Sequence, residues 1–215
     1  MLVLALDTSS AAVTAAVVVV GDHEVELVAE QVSINARGHG ELLAPAIQRA
    51  LEAAGNVPED LDAIVVGTGP GPYTGLRVGL VTAAVMSELL GIPAYGVCSL
   101  DGIALPGSTM LVAADARRRE VYWARYEDGV RVAGPEVSYP ADLAPVTGTI
   151  AGAGARLYAD VLGGHLLDGD YPNARSLVLR AADKIRSGAP SDPLTPLYLR
   201  RPDAVAPGAP KAVSQ

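Results

Sequence analysis

Leu2 to Leu6 is an unbroken apolar run, and a strand with no polar face must be covered on both sides. A chain that opens this way needs layers above and below a sheet. Val13 to Val20 is rich in valine and Val25 to Val32 alternates apolar with polar residues, so two further strands are predicted, joined by a turn at Gly21 and Asp22. Glu41 to Ala54 changes to helical spacing. Leu43, Ile47, Ala50, Leu51 and Ala54 share one face, Gly55 is the stop, and Pro45 is expected near the first turn or at a kink. Leu61 to Gly67 reads as another buried strand, Gly75 to Leu90 as a second helix ended by Gly91, and Pro93 to Val97 as a fifth strand. The order is β-β-β-α-β-α-β.

Leu105 to Ser108 (LPGS) marks a boundary. Beyond it the opening order recurs more weakly, with strands at Met110 to Ala114, Glu120 to Tyr126, Val130 to Val132 and Thr149 to Ala151. A helix from Arg156 and another from Arg175 to Arg186, capped by Asn173 and stopped by Gly188 and Pro190, complete the second half. The expectation is therefore a duplicated α/β fold with mixed sheets, in lobes of residues 1–104 and 105–201. The tail at 202–215, rich in Ala, Pro and Gly, has little to bury and is expected to be loose.

Composition narrows the function classes. The longest apolar stretch, Ala11 to Val20, contains Thr14 and ends at Gly21 and Asp22, short of the roughly 18 residues a membrane helix needs. The amino terminus has no basic region ahead of its apolar run, so it does not read as a secretory signal. Cys98 is the single cysteine and excludes an internal disulfide. These features favour the cytoplasm. Net charge is −8, and it is uneven: residues 1–105 hold 3 Lys and Arg against 12 Asp and Glu, while residues 106–215 hold 13 against 12. The first half is thus a poor surface for nucleic acid, and any RNA is expected to be held through a partner. The alternative is an acidic face that merely keeps the protein soluble.

Candidate chemistry concentrates in Gly67 to Gly79 (GTGPGPYTGLRVG), between a strand and a helix, where phosphate loops often sit. The register of a nucleotide loop is absent and Pro70 and Pro72 lack N–H donors, so a rigid turn is predicted, built on Gly69, Pro70, Gly71, Tyr73, Thr74 and Arg77. Small residues then recur every fourth position, at Gly75, Gly79, Ala83 and Ser87. Glycine costs a helix about 1 kcal/mol against alanine, so this stripe calls for close approach, either by the chain's own sheet and first helix or by another chain. His23, His39 and His165 are far apart, which argues against a metal site. Cys98 has no basic neighbour in sequence and is expected to be a buried, inert thiol. Gly152-Ala153-Gly154 reads as helix entry, with a nucleotide contact as the alternative. Arg117-Arg118-Arg119, between two strands, reads as a solvated hairpin turn, with RNA phosphate as the alternative.

Three stretches, LALDTSSAAVTAAV at 4–17, GTGPGPYTGLRVGL at 67–80 and DARRREVYWARY at 115–126, together with PLYLR at 196–200, resemble the TsaB (YeaZ) family across nearly the whole chain. The resemblance implies an actin-like fold related to sugar kinases and Hsp70 ATPases, and descent as a degenerate paralogue of the catalytic subunit TsaD. It implies a non-catalytic subunit that pairs with a TsaD-like protein, or with itself as a homodimer. A TsaE-like ATPase joins them, and threonylcarbamoyl is transferred to adenosine 37 of tRNAs reading ANN codons. TsaD-like proteins carry a His-x-x-x-His pair where this chain has Cys98-Ser99-Leu100-Asp101-Gly102, and a Gly-Gly-His-Thr turn where it has Ala114-Asp115-Ala116-Arg117. Asp7 stands at the actin-like phosphate or metal aspartate, but Ser9 replaces the usual glycine, so these two form a vestigial site. ATP and metal are accordingly expected on the partners, and none on this chain. Docking is expected on the Glu41 and Gly75 helices through Leu42, Leu43, Ala46, Gly75, Leu76, Gly79, Leu80 and Ala83. The competing expectation is an autonomous enzyme, either a phosphotransferase, favoured only by Asp7 and Gly152 to Gly154, or a glycoprotease-like peptidase, for which no motif is present.

Overall fold

A computed structural model describes residues 1–200, and the tail expected from Pro202 onward lies outside the described residues. Strands β1 (Leu2–Asp7), β2 (Ala12–Val20), β3 (Val25–Ile34), β4 (Ala63–Gly67) and β5 (Ala94–Val97) form a five-stranded sheet in the order β3-β2-β1-β4-β5. β1 runs antiparallel to β2 and parallel to β4, so the apolar run that opens the chain is its centre. Helices α1 (His39–Ala54) and α2 (Tyr73–Leu90) follow β3 and β4 and cover one face. There Leu43, Ile47, Leu76 and Leu80 pack on Leu4, Leu6 and Ile64. Both helices stop at glycines in the left-handed region, Gly55 and Gly91. Pro45 sits in the second turn of α1, on its exposed side.

Strands β6 (Met110–Asp115), β7 (Val121–Glu127), β8 (Val130–Ser138), β9 (Thr149–Ala151) and β10 (His165–Leu166) build the second sheet, ordered β10-β9-β6-β7-β8. That order repeats the first: two antiparallel hairpins, then parallel additions on the far side. The duplicated actin-like plan is present, but its second copy is reduced. Short helices α3 (Pro140–Leu143), α4 (Ala153–Leu157) and α5 (Ala159–Leu162) stand where the first copy has long ones, and the helix expected from Arg156 is broken at Tyr158.

One expectation needs correction. Helix α6 (Ala174–Arg186), capped by Asn173 as predicted through a Ser176 N–H bond of 3.0 Å, does not complete the second lobe. Its Leu177, Val178, Ala181 and Ile185 pack on Val3, Ala5, Val65 and Tyr95, the uncovered face of the first sheet. The reason lies in β1 itself. α1 and α2 cover one face, so Val3 and Ala5 would meet water unless a later segment came back. Burying each of Leu177, Val178 and Ile185 stabilises this return by about 1.5–3 kcal/mol.

The chain then follows the free edge of β5. Asp192 N–H donates to Ala94 O (2.9 Å), Ala94 N–H to Ser191 Oγ (3.1 Å) and Leu197 N–H to Thr68 O (2.8 Å). An edge that would invite pairing is thereby closed. Arg200 finally reaches the second sheet, donating to Ala116 O (2.7 Å) and pairing with Glu120. Among the described residues, 105–200 are therefore not a self-contained lobe: the second sheet ends at Leu166 and α6 packs on the first.

Candidate functional site

β1 ends at the cleft between the sheets, and Asp7 is its last residue. Its carboxylate faces inward. Oδ1 accepts from Ser9 N–H (2.9 Å) and from the Ser9 hydroxyl (2.7 Å), and Oδ2 accepts from the Ser99 hydroxyl (2.6 Å). Burial pushes this carboxyl above its ordinary value, while the Ser99 and Ser9 hydrogen bonds and the nearby His39 pull it back. Gly67, at the end of β4, leaves the space this carboxylate occupies, because a Cβ there would overlap Asp7 Oδ2. Asp7 thus ties the ends of β1 and β4 to the turn after β5, with its oxygens turned away from the cleft.

The other turns around the cleft are closed in the same manner. Gly69 N–H donates to Ser99 Oγ (3.0 Å), Arg117 N–H to Asp115 Oδ1 (2.7 Å) and Ala153 N–H, at the start of α4, to Asp170 O (2.9 Å). Three donors that a phosphate could use there thus already have an internal acceptor. Gly152 and Gly154 serve packing, as the helix-entry reading anticipated, since side chains there would run into the backbone of Ala113 and Ala114. The cleft itself holds about 100 Å³ between Ser10, His39, Leu100, Tyr122 and Tyr171. Among the described residues no cluster of three metal-ligating side chains occurs. Cys98 is buried and its thiol is pushed up to about 11, by desolvation first and the Asp101 charge second, so it is inert at neutral pH.

The glycine stripe of α2 has an internal explanation. Thr8 lies beneath it, its hydroxyl donating to Gly75 O (2.8 Å) and accepting from Gly79 N–H (3.0 Å). A Cβ at Gly75 would stand 2.6 Å from Thr8 O, one at Gly79 2.5 Å from Thr8 Oγ1, and one at Gly71 would overlap Ser9 O. The loop from Gly69 to Pro72 and the start of α2 are therefore packed closely onto the Asp7 to Ser9 turn. The docking role expected of Leu43, Ala46, Gly75, Leu76, Gly79, Leu80 and Ala83 is corrected by the same geometry, because all of them are buried within this chain. Of that set only Leu42 is partly exposed. The helix turns its opposite face outward. Val81, Val85 and Leu89, at successive i, i+4 positions, are 53%, 51% and 80% exposed.

Exposed Tyr73, Thr74 and Arg77 open α2 on that outer side. Arg77 lies 5.3 Å over the Tyr73 ring and donates to its hydroxyl, and Tyr198 from the terminal strap packs on Tyr73 with ring centroids 4.9 Å apart. Arg117 to Arg119 form the β6–β7 turn, exposed as expected, but with φ of 58°, 54° and 65°. Sequence reasoning passed over Thr8, Ser99 and the outer row of α2. The row was readable as apolar spacing; the roles of Thr8 and Ser99 depend on contacts 67 and 92 residues away in the chain.

Comparison with known proteins follows the same lines. The family model described as TsaD, tRNA N6-adenosine threonylcarbamoyltransferase, matches residues 26–159. An uncharacterised protein of Mycobacterium leprae is 49% identical over 205 residues, covering 94% of this chain. The tRNA threonylcarbamoyladenosine biosynthesis protein TsaB of Bacillus subtilis is 34% identical over 131 residues, 59% of this chain. The chain spans 56% of the length of each of these two relatives. Among solved structures, YeaZ from Pseudomonas aeruginosa superposes with a TM-score of 0.75 at 26% identity, covering 92% of this chain and 99% of that one.

Proposed function

Because the chain belongs to the TsaD family, as a TsaB-type member of it, we propose that it is a non-catalytic subunit in the formation of N6-threonylcarbamoyladenosine on tRNA. Its partner is a TsaD-like catalytic subunit, joined by a TsaE-like ATPase, and the complex acts on position 37 of tRNAs reading ANN codons. ATP and metal reside on those partners.

The observation that carries this reading is the sealed Asp7 turn. In an actin-like enzyme the end of the first strand must offer a carboxylate and free donors to phosphate or metal. Here Asp7 is spent on Ser9 and Ser99, and the donors at Gly69, Arg117 and Ala153 are taken. What remains open is the outer face of α2, where Val81, Val85 and Leu89 form an apolar row. Such a row on a two-turn span suits a helix-on-helix interface, and we assign pairing with the TsaD-like subunit to it. A tagged copy purified from its native cytoplasm is expected to bring down a TsaD-like protein, and cells depleted of the chain are expected to lose threonylcarbamoyladenosine from their tRNA. Normal nucleoside content in depleted cells would overturn the reading.

A further inference from the structure

The two sheets are linked by the crossovers of the chain, and side chains tie them again at both ends of β7. At the Tyr126 end, Asp101, in the turn after β5, accepts from the Tyr126 hydroxyl (2.7 Å) and pairs with Arg131 of β8 (3.6 Å). Arg180 of α6 adds a bond to Gly129 O (2.8 Å) in the β7–β8 turn. This joint sits beside the crossover itself. At the Glu120 end, Arg200 donates to Ala116 O (2.7 Å) and Arg117 O (3.4 Å) and pairs with Glu120. Its planar fork of donors suits two carbonyls and a carboxylate together, which a lysine could not span in the same way.

The arm that carries Arg200 is itself fixed to the first sheet. Lys184 holds Asp192 (2.7 Å), Leu194 packs into the core under α2, Leu197 N–H bonds Thr68 O (2.8 Å) and the Tyr198 ring lies 4.9 Å from that of Tyr73. By Leu197 the β5 edge is already covered, so closing that edge does not require Arg200. What Arg200 adds is a grip on the other sheet. Glu120 and Tyr126 stand six residues apart, about 20 Å along a strand, so a pivot of about 10° at the Tyr126 joint would carry the Glu120 end through about 3.5 Å. Arg200 hydrogen bonds cannot follow that far. Asp115, Arg117 and Tyr122, at this end of the second sheet, line the cleft opposite Ser10 and His39, so the same pivot would change its width. We propose that residues 197–200 are a latch that fixes the angle between the two sheets. The chain's own end thus supplies the bridge across the cleft that a ligand could otherwise supply, and without Arg200 the second sheet pivots about the Asp101 and Tyr126 joint.

The test measures that angle in the full chain. Because Cys98 is buried, nitroxide labels can be placed selectively on Ala44→Cys in α1 and Asp160→Cys in α5, both exposed and one on each side of the cleft. Pulsed electron–electron resonance then reads the distance between them. With Arg200 present a single narrow distribution is expected. Arg200→Ala should shift its mean by about 3 Å or more, or broaden it by as much, while far-UV circular dichroism and the protection of Cys98 from alkylation stay as in the parent chain. Arg200→Lys keeps the charge but loses the fork, and carries the same expectation where the alanine variant does not fold. A distribution unchanged in the Arg200 variant would overturn the latch, and so would one already broad in the parent. A lower melting temperature with an unchanged distance would show that Arg200 only adds stability, which also overturns it.

Discussion

Helix α2 has an inner face committed to this chain and an outer face free for another, and a pair of substitutions separates them. Gly79→Ala brings two opposed effects. Alanine gains about 1 kcal/mol in helix propensity. Its Cβ, however, would lie 2.5 Å from Thr8 Oγ1, and Thr8 is 1% exposed and held by bonds to Gly75 O and Gly79 N–H. Restoring an ordinary contact moves the hydroxyl off both partners, at about 1 kcal/mol per hydrogen bond, and overpacking adds about 1–3 kcal/mol. The net loss is about 2–4 kcal/mol, or a melting temperature lower by roughly 4–16 °C for a chain of this size. Gly79→Arg should unfold the monomer outright. Val85→Arg, on a residue 51% exposed, should change stability by no more than about 0.5 kcal/mol. Pairing is another matter, for an arginine desolvated in an apolar interface costs several kcal/mol. Circular-dichroism melts and co-purification with the TsaD-like subunit read the two effects separately. If Gly79→Ala melts at or above the wild-type temperature, or Val85→Arg pairs normally, the division of the helix into two faces is wrong.

Three further outcomes follow from the cleft. Asp7 has its carboxyl raised above the ordinary 3.8, so its contribution to stability is fully present below that value and is lost as pH rises through the raised one. Asp7→Asn, neutral throughout, should lack this loss, so urea midpoints of variant and wild type converge from acid towards neutral pH; a constant gap would contradict the assignment. ATP with Mg²⁺ should bind no better than weakly by calorimetry, and micromolar affinity abolished by Asp7→Ala would restore the phosphotransferase reading. Cys98, with its thiol pushed up to about 11, should react with iodoacetamide only on unfolding, and rapid alkylation of the native chain at neutral pH would refute its burial.

Much of the fold was legible because its signals are local. The two-sided apolar run of β1, the helical spacing of α1, the glycine stops at Gly55 and Gly91 and the Asn173 cap each act within a few residues, and all stand where expected. The destination of α6 was not local. Its apolar face would fit either sheet, and only the unmet need of Val3 and Ala5 decides between them. The terminal strap was illegible for a similar reason, since it holds the β5 edge through backbone groups and Ser191, which carry no periodicity.

The site shows the same division more sharply. Gly75 and Gly79 were correctly read as demanding close approach, but a glycine records only that something is near, not what it is. The neighbour proves to be Thr8, in the turn where an actin-like enzyme would present its first strand to a ligand. Once Thr8 donates to Gly75 O and accepts from Gly79 N–H, and Asp7 is held by Ser9 and Ser99, the Asp7 and Thr8 side chains face helix α2 and the β5 turn in place of the cleft. Thr8→Val distinguishes this from mere filling of space. It keeps the volume but removes the hydroxyl's hydrogen bonds to Gly75 O and Gly79 N–H, at about 1 kcal/mol each, and should lower the melting temperature while the outer row of α2 still pairs with the TsaD-like subunit. Stability unchanged in Thr8→Val would mean that the hydroxyl does not hold the helix, and the close approach of Gly75 and Gly79 would again lack a cause.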